Sequence, residues 1–123
     1  MIITPIAYNG RFVMQNTKPT AVAGLFYQSL PSVLAEMMDN DLAQALPPSE
    51  MHIPKVIIVP HTGYIYSGPV AASAYRYLLP IRHIITQVVI IGPSHRVAFH
   101  VVALSSANYF ETPLGSVPID KAA

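Results

Sequence analysis

Lys55-Val56-Ile57-Ile58-Val59-Pro60-His61-Thr62-Gly63-Tyr64 is the stretch on which the fold reading turns. Its β-branched apolar run has no polar face, so it predicts a strand buried on both sides, as in a parallel sheet covered by helices. Pro60 ends the run and His61 follows at its carboxyl end. Downstream, Ser67-Gly68-Pro69 places a proline suited to the first position of a helix, and residues 70–79, rich in alanine and closed by Pro80, predict that helix. A second β-branched run, Gln87-Val88-Val89-Ile90-Ile91, stops at Gly92-Pro93-Ser94-His95-Arg96. Strand, helix and strand in this order predict a right-handed βαβ unit. The expected architecture is therefore α/β, with a parallel or mixed sheet flanked by helices.

On the amino-terminal side, residues 32–46 predict a helix with Ser32 as N-cap. Val33, Leu34, Met37, Met38, Leu42, Ala45 and Leu46 recur at spacings of three and four, and Pro47-Pro48 supplies the stop. Residues 1–30 show no sustained periodicity and read as extended or irregular chain, with a short strand at residues 11–14. On the carboxyl side, residues 101–106 predict a third strand. The segment Tyr109-Phe110-Glu111-Thr112-Pro113-Leu114-Gly115 reads as turn-rich, with Val117-Pro118-Ile119-Asp120 after it. One domain spanning residues 1–123 is expected from the length.

The apolar set makes up 52% of the 123 residues and charged residues 11%, which is a globular composition. Seven Lys and Arg against six Asp and Glu leave a formal charge of +1, and the basic residues are scattered. That lacks the electrostatic footprint of a nucleic-acid binder. The absence of cysteine excludes a disulfide framework, a thiol nucleophile and a Cys-ligated zinc site within these residues, and fits a reducing compartment. The apolar runs are too short to span a bilayer and the start has no basic region of a signal peptide, so a cytoplasmic protein is expected, with no membrane partner.

In open α/β sheets, ligands bind outside the carboxyl ends of the strands. His61 and His95 each follow such an end, one βαβ repeat apart, so adjacent parallel strands would set them side by side. A single histidine after a strand is more often a cap or a backbone hydrogen-bond partner than a ligand. Two in matched loops shift the balance towards a metal or proton-transfer site. Gly63 and Gly92 are expected to grant backbone freedom beside them, and Pro60 and Pro93 to stiffen the loops. Tyr64, Tyr66, Ser67 and Ser94 are candidate hydrogen-bond donors on the same rim, and Arg96 a partner for an anionic ligand. His52, His83 and His100 have no comparable setting. The Tyr75 and Tyr77 pair and the Met37 and Met38 pair read as packing residues, and Glu111 and Asp120 as solvated acids.

Four motifs in order carry a family resemblance: Ala23-Gly24-Leu25-Phe26-Tyr27; residues 59–68, Val-Pro-His-Thr-Gly-Tyr-Ile-Tyr-Ser-Gly; Ile91-Gly92-Pro93-Ser94-His95-Arg96; and Glu111-Thr112-Pro113-Leu114-Gly115 with Val117-Pro118-Ile119-Asp120. Together they resemble the amino-terminal part of the Memo family, whose prokaryotic members are called AmmeMemoRadiSam system protein B. The resemblance implies the fold of the class III extradiol ring-cleaving dioxygenases, an α/β sandwich with a metal pocket at the strand ends. It implies that His61 and His95 face that pocket and bind iron, or copper, and that Phe26, Tyr27 and Tyr66 belong to an aromatic vestibule beside it. It also implies association with a radical-SAM protein and its partner domain.

Family members are about twice as long, and their later half supplies a further ligand, often cysteine. The resemblance therefore implies a truncated, partial domain whose third metal ligand is missing from this chain. A sheet cut short in this way exposes an edge, which predicts association, including a homo-oligomer. Two functions follow. The first is a metal-dependent redox or dioxygenase-like pocket built on His61 and His95. The second is a binding or scaffold protein that uses the same pocket for a peptide or an anionic group without turnover. Fold alone does not choose between them.

Overall fold

The computed structural model describes residues 2–3, 16–46 and 53–122. The strand expected at residues 11–14, Pro47-Pro48 and His52 lie outside them. In chain order the elements are β1 (Ile2–Ile3), β2 (Thr17–Lys18), α1 (Pro31–Gln44), α2 (Tyr64–Tyr75) with a 3-10 segment Arg76–Ile81 running on from it, β3 (Val88–Val89), β4 (Tyr109–Thr112) and β5 (Gly115–Asp120). They fall into two compact units, Thr20–Ile85 with the helices, and Met1–Pro19 with Thr86–Ala123, which holds the strands.

In the helical unit, α1 starts one residue earlier than its periodicity suggests. Leu30 is the N-cap, without a side-chain bond, and Pro31 occupies the first turn in place of a Ser32 cap. Proline is suited there because its fixed φ matches the helix and the N–H it lacks would have no intrahelical partner. The helix ends at Gln44, where Ala45 turns extended and its N–H donates to Asp41 O at 3.1 Å. Leu46 precedes a proline and is disfavoured from helical geometry, so the helix closes before it. Of the apolar stripe, Leu34 is buried at 4% exposure, while Val33 and Leu46 are exposed.

The second helix begins well before the expected position, at Tyr64, and Pro69 lies inside it. The side chain of Ser67 explains the early start. Ser67 is buried and its hydroxyl lies 2.9 Å from Thr62 O and 3.3 Å from Gly63 O, so the first turn is anchored to the loop before it. Pro69 has no N–H to give to Ile65 four residues back, and the helix continues past the gap. Two features join α1 to α2. Arg76 Nη1 donates to Leu42 O at 2.6 Å, satisfying a carbonyl of the last turn of α1. The Asp41 carboxylate fills the space that a Cβ on Gly68 would need, its Cγ lying 3.3 Å from that position.

Residues 55–59 are not a strand. Val56 is 78% and Ile58 94% exposed. A β-branched run becomes a strand only when a neighbouring backbone accepts its ladder, and none does among the described residues. The expected βαβ unit is accordingly not formed.

The second unit carries a mixed five-stranded sheet in the order β2-β4-β5-β1-β3. One pair is parallel, Thr17 opposite Tyr109 and Lys18 opposite Phe110. The others are antiparallel: β4 with β5 (Phe110 opposite Val117), β1 with β5 (Ile3 opposite Ile119) and β1 with β3 (Ile2 opposite Val89). The run 87–91 shortens to β3, whose two valines are exposed rather than covered on both faces. No strand forms at residues 101–106. The turn-rich segment is instead a hairpin: Thr112 Oγ1 donates to Gly115 O at 2.7 Å and accepts from Leu114 N at 3.2 Å, and Gly115 takes a positive φ of 129°. Pro118 sits where β5 passes from pairing with β4 to pairing with β1, a place that tolerates a missing donor. Lys18 Nζ lies 5.0 Å from the Phe110 ring centroid, holding the parallel pair from the side.

Replacing Arg76 with alanine leaves Leu42 O without its donor and is expected to lower unfolding stability by about 1.5 kcal/mol, the usual worth of a hydrogen bond to a charged group. Urea unfolding followed by far-UV circular dichroism checks this, and an unchanged midpoint would remove Arg76 from the α1–α2 junction.

Candidate functional site

His61 occupies the short loop between the apolar run and α2, and its side chain is exposed. The loop itself is held. Ser67 fastens Thr62 and Gly63 from within α2, Tyr66 N and Ser67 N donate to Gly63 O at 2.9 and 3.1 Å, and Tyr64 N donates to Phe26 O at 2.7 Å. This last bond ties the loop to the segment 22–27. There Gly24 has a φ of +79°, a conformation that side-chain-bearing residues rarely adopt, and its N–H donates to Tyr27 O at 2.7 Å. The required backbone freedom thus lies at Gly24 and Gly115. Gly63 (φ −55°) and Gly92, where it was expected, have no positive φ.

The tie assembles an aromatic group beside His61. The Tyr27 and Tyr64 rings pack at 5.7 Å between centroids, tilted by 49°. A Cβ on Gly63 would lie 3.5 Å from Phe26 O and 3.9 Å from Tyr66 Cδ2. Phe26 is 49% and Tyr66 74% exposed. Three of the expected vestibule residues, Phe26, Tyr27 and Tyr66, therefore share one neighbourhood with the His61 loop. Tyr64 has its phenol pKa raised, first by burial and then by the nearby phenols of Tyr75 and Tyr27. It is a packing residue rather than the exposed rim donor its position in the sequence suggests. Ser67, likewise expected on the rim, is buried and spent on the loop.

His95 lies in the other unit, on the loop after β3, with Ser94 and Arg96, and all three are exposed. Ser94 Oγ donates to Val97 O at 2.6 Å and accepts from Val97 N at 3.3 Å, closing the turn on itself around His95. The hydroxyl expected to meet a ligand is thus engaged by its own loop. Arg96 stands exposed beside it. Among the described residues, no group of three or more His, Cys, Asp or Glu side chains stands where it would hold a metal ion.

Sequence reasoning passed over Arg76, the Asp41 and Gly68 contact and the role of Gly24. Only Gly24 left a signal, as a glycine in a short motif otherwise apolar and aromatic.

The family of Memo-like proteins matches residues 18–123. The chain belongs to the Memo family. A MEMO1 family protein of Caldivirga maquilingensis is 38% identical over 116 residues, covering 85% of this chain and 39% of the relative. One of Pyrobaculum arsenaticum is 39% identical over 113 residues, covering 87% and 40%, and one of Aquifex aeolicus is 40% identical over 100 residues, covering 81% and 35%. The chain thus spans about two fifths of the length of the curated Memo relatives it matches. No helix among the described residues of this Memo chain is long and apolar enough to cross a membrane.

The raised pKa of Tyr64 has a consequence for alkaline stability. The folded state keeps the phenolic proton to a higher pH than the unfolded chain, whose tyrosines titrate near the ordinary value of 10.0. The stability is therefore complete below that value and declines as pH rises through the folded pKa. Tyr64→Phe is expected to flatten this decline, checked by comparing urea midpoints at about pH 9 and about pH 11 for both proteins. Equal declines would show that Tyr64 does not titrate differently on folding.

Proposed function

We propose that this Memo chain contributes His61 and His95 as imidazole ligands to a divalent-metal pocket, with iron as the metal and copper as the second choice, of the kind found in extradiol-dioxygenase-like folds. The described residues alone do not fit a complete metal centre. Two histidines fall short of the three protein ligands that a stable site or a 2-His-1-carboxylate arrangement takes, and no third acid, histidine or cysteine joins them among the described residues. The remaining ligand has to come from polypeptide other than these residues, and no chemical step is derived through the metal.

The observation that carries the reading is the His61 loop. Its backbone is fastened by Ser67 and by the Tyr64 to Phe26 bond while its imidazole is exposed. A ligand side chain held this way loses little conformational entropy on binding a metal. Motif order supports the same assignment for His95. Tyr66 and Phe26 would line the approach, with Arg96 available to an anionic group, and a redox or dioxygenase-like activity is the reaction class this donor set serves. A radical-SAM protein with its associated domain is the partner proposed for the whole assembly.

A second reading, a binding or scaffold module without turnover, is favoured by one observation. Phe26, Ile65 and Tyr66 present exposed apolar and aromatic surface beside His61, which suits a peptide as well as the mouth of a metal pocket.

Anaerobic titration of the chain with ferrous iron, followed by elemental analysis after desalting, separates the two. His61→Ala and His95→Ala are each expected to weaken iron binding at least tenfold, about 1.4 kcal/mol. Iron retention equal in all three proteins would overturn the metal reading and leave the peptide-binding one.

A further inference from the structure

We infer that Ser67 is a positioning residue for His61: by donating to Thr62 O, its buried hydroxyl holds the backbone from which the imidazole is presented. The inference rests on the reading of His61 as the side chain that meets the ligand, whether that ligand is a metal or a peptide. Among the described residues, Ser67 is the one polar side chain that is buried. The same helix has alanine at positions 71, 72 and 74, and Ala72 is buried too. Alanine at position 67 would fill a buried site with better helix propensity, so neither packing nor helix formation accounts for the hydroxyl.

Its geometry selects one partner. A serine hydroxyl has a single proton to donate. Gly63 O, 3.3 Å away, already accepts from Tyr66 N and Ser67 N, whereas Thr62 O lies closer, at 2.9 Å. Gly63 is the N-cap of α2, so a bond to Thr62 O leaves the helix and takes hold of the loop before it. The peptide after Thr62 is fixed by this bond, and the peptide after Gly63 by the bond from Tyr64 N–H to Phe26 O. His61 is then joined to fixed backbone through the torsions of Thr62 alone. Ser73 supplies the contrast within α2. Its hydroxyl donates to Pro69 O, four residues back, at 3.2 Å, but that bond is exposed and stays inside the helix.

The first turn of α2 needs this tie because the helix beyond it offers little support. Gly68 and Pro69, the two residue types with the poorest helix propensity, follow Ser67 directly, and Pro69 withholds the N–H that Ile65 O would accept. Thr62 is exposed, so water can replace the hydroxyl at its carbonyl. Loss of the bond therefore shows as motion of the loop rather than as an unsatisfied buried group.

NMR relaxation of the metal-free chain tests this, read at the amides of His61, Thr62 and Gly63 and at the imidazole Cε1–H of His61. The three amides are expected at the rigid order parameter of about 0.85 in the unsubstituted chain and below about 0.6 in Ser67→Ala, with the order of the imidazole falling alongside. The amides of residues 71–75 and the far-UV circular dichroism stay unchanged in that variant, a local pattern that a general weakening of α2 would not produce. Ser73→Ala leaves the loop rigid. A loop already mobile in the unsubstituted chain, or still rigid in Ser67→Ala, overturns the inference. Equal loosening in Ser73→Ala, or unfolding of Ser67→Ala, would make the hydroxyl a support of the helix and overturn it as well. No metal or peptide enters the measurement, so its failure removes the role of Ser67 alone, while an iron titration insensitive to His61 bears on the metal reading alone.

Discussion

The hydrogen bond from Tyr64 N–H to Phe26 C=O is the interaction on which the helical unit's arrangement depends. The first amides of a helix have no partner within it and need one from outside. At α2 the cap residue is a glycine without a side chain to offer, so a carbonyl from a segment far away in sequence takes that part. One bond therefore does two things: it helps terminate the helix and it brings the 22–27 loop to its start. The packing of Tyr27 on Tyr64, the placing of Phe26 and the steadiness of the backbone next to His61 all follow.

The helices were readable in the sequence because their information is local. Spacings of three and four and the Pro47-Pro48 stop locate α1 to within a residue or two. The start of α2 was missed because Pro69 dominates the pattern, whereas the anchor is the hydroxyl of Ser67 reaching back to Thr62 and Gly63. Strands are a different case, since a strand is a relation between two segments. Residues 55–59 have the right composition and no ladder partner among the described residues, while Tyr109-Phe110-Glu111-Thr112, which reads as turn, acquires Val117 and Pro118 across a tight hairpin and becomes β4. The α/β class with a mixed sheet was legible, but the pairing was not.

For the candidate site, the motifs located loops, and the structure reassigns two of their hydroxyls. His61, Phe26, Tyr27 and Tyr66 stand in one unit, and His95 rides on a turn closed by Ser94. The hydroxyls of Ser67 and Ser94, which the sequence offers as ligand-facing, both serve their own backbone. A serine beside a loop histidine has two uses, shaping the loop or meeting a ligand. Which one applies depends on carbonyl positions that residue identity does not encode.

The meeting of Asp41 with Gly68 has an evolutionary meaning. With the carboxylate occupying the space of an absent side chain, positions 41 and 68 share one volume between α1 and α2. That carboxylate is the end of a side chain able to turn, so a larger residue at position 68 is admitted where Asp41 swings aside or a smaller residue replaces it. The route to a bulkier α2 at this point therefore runs through the rotamer or the identity of residue 41 on the neighbouring helix.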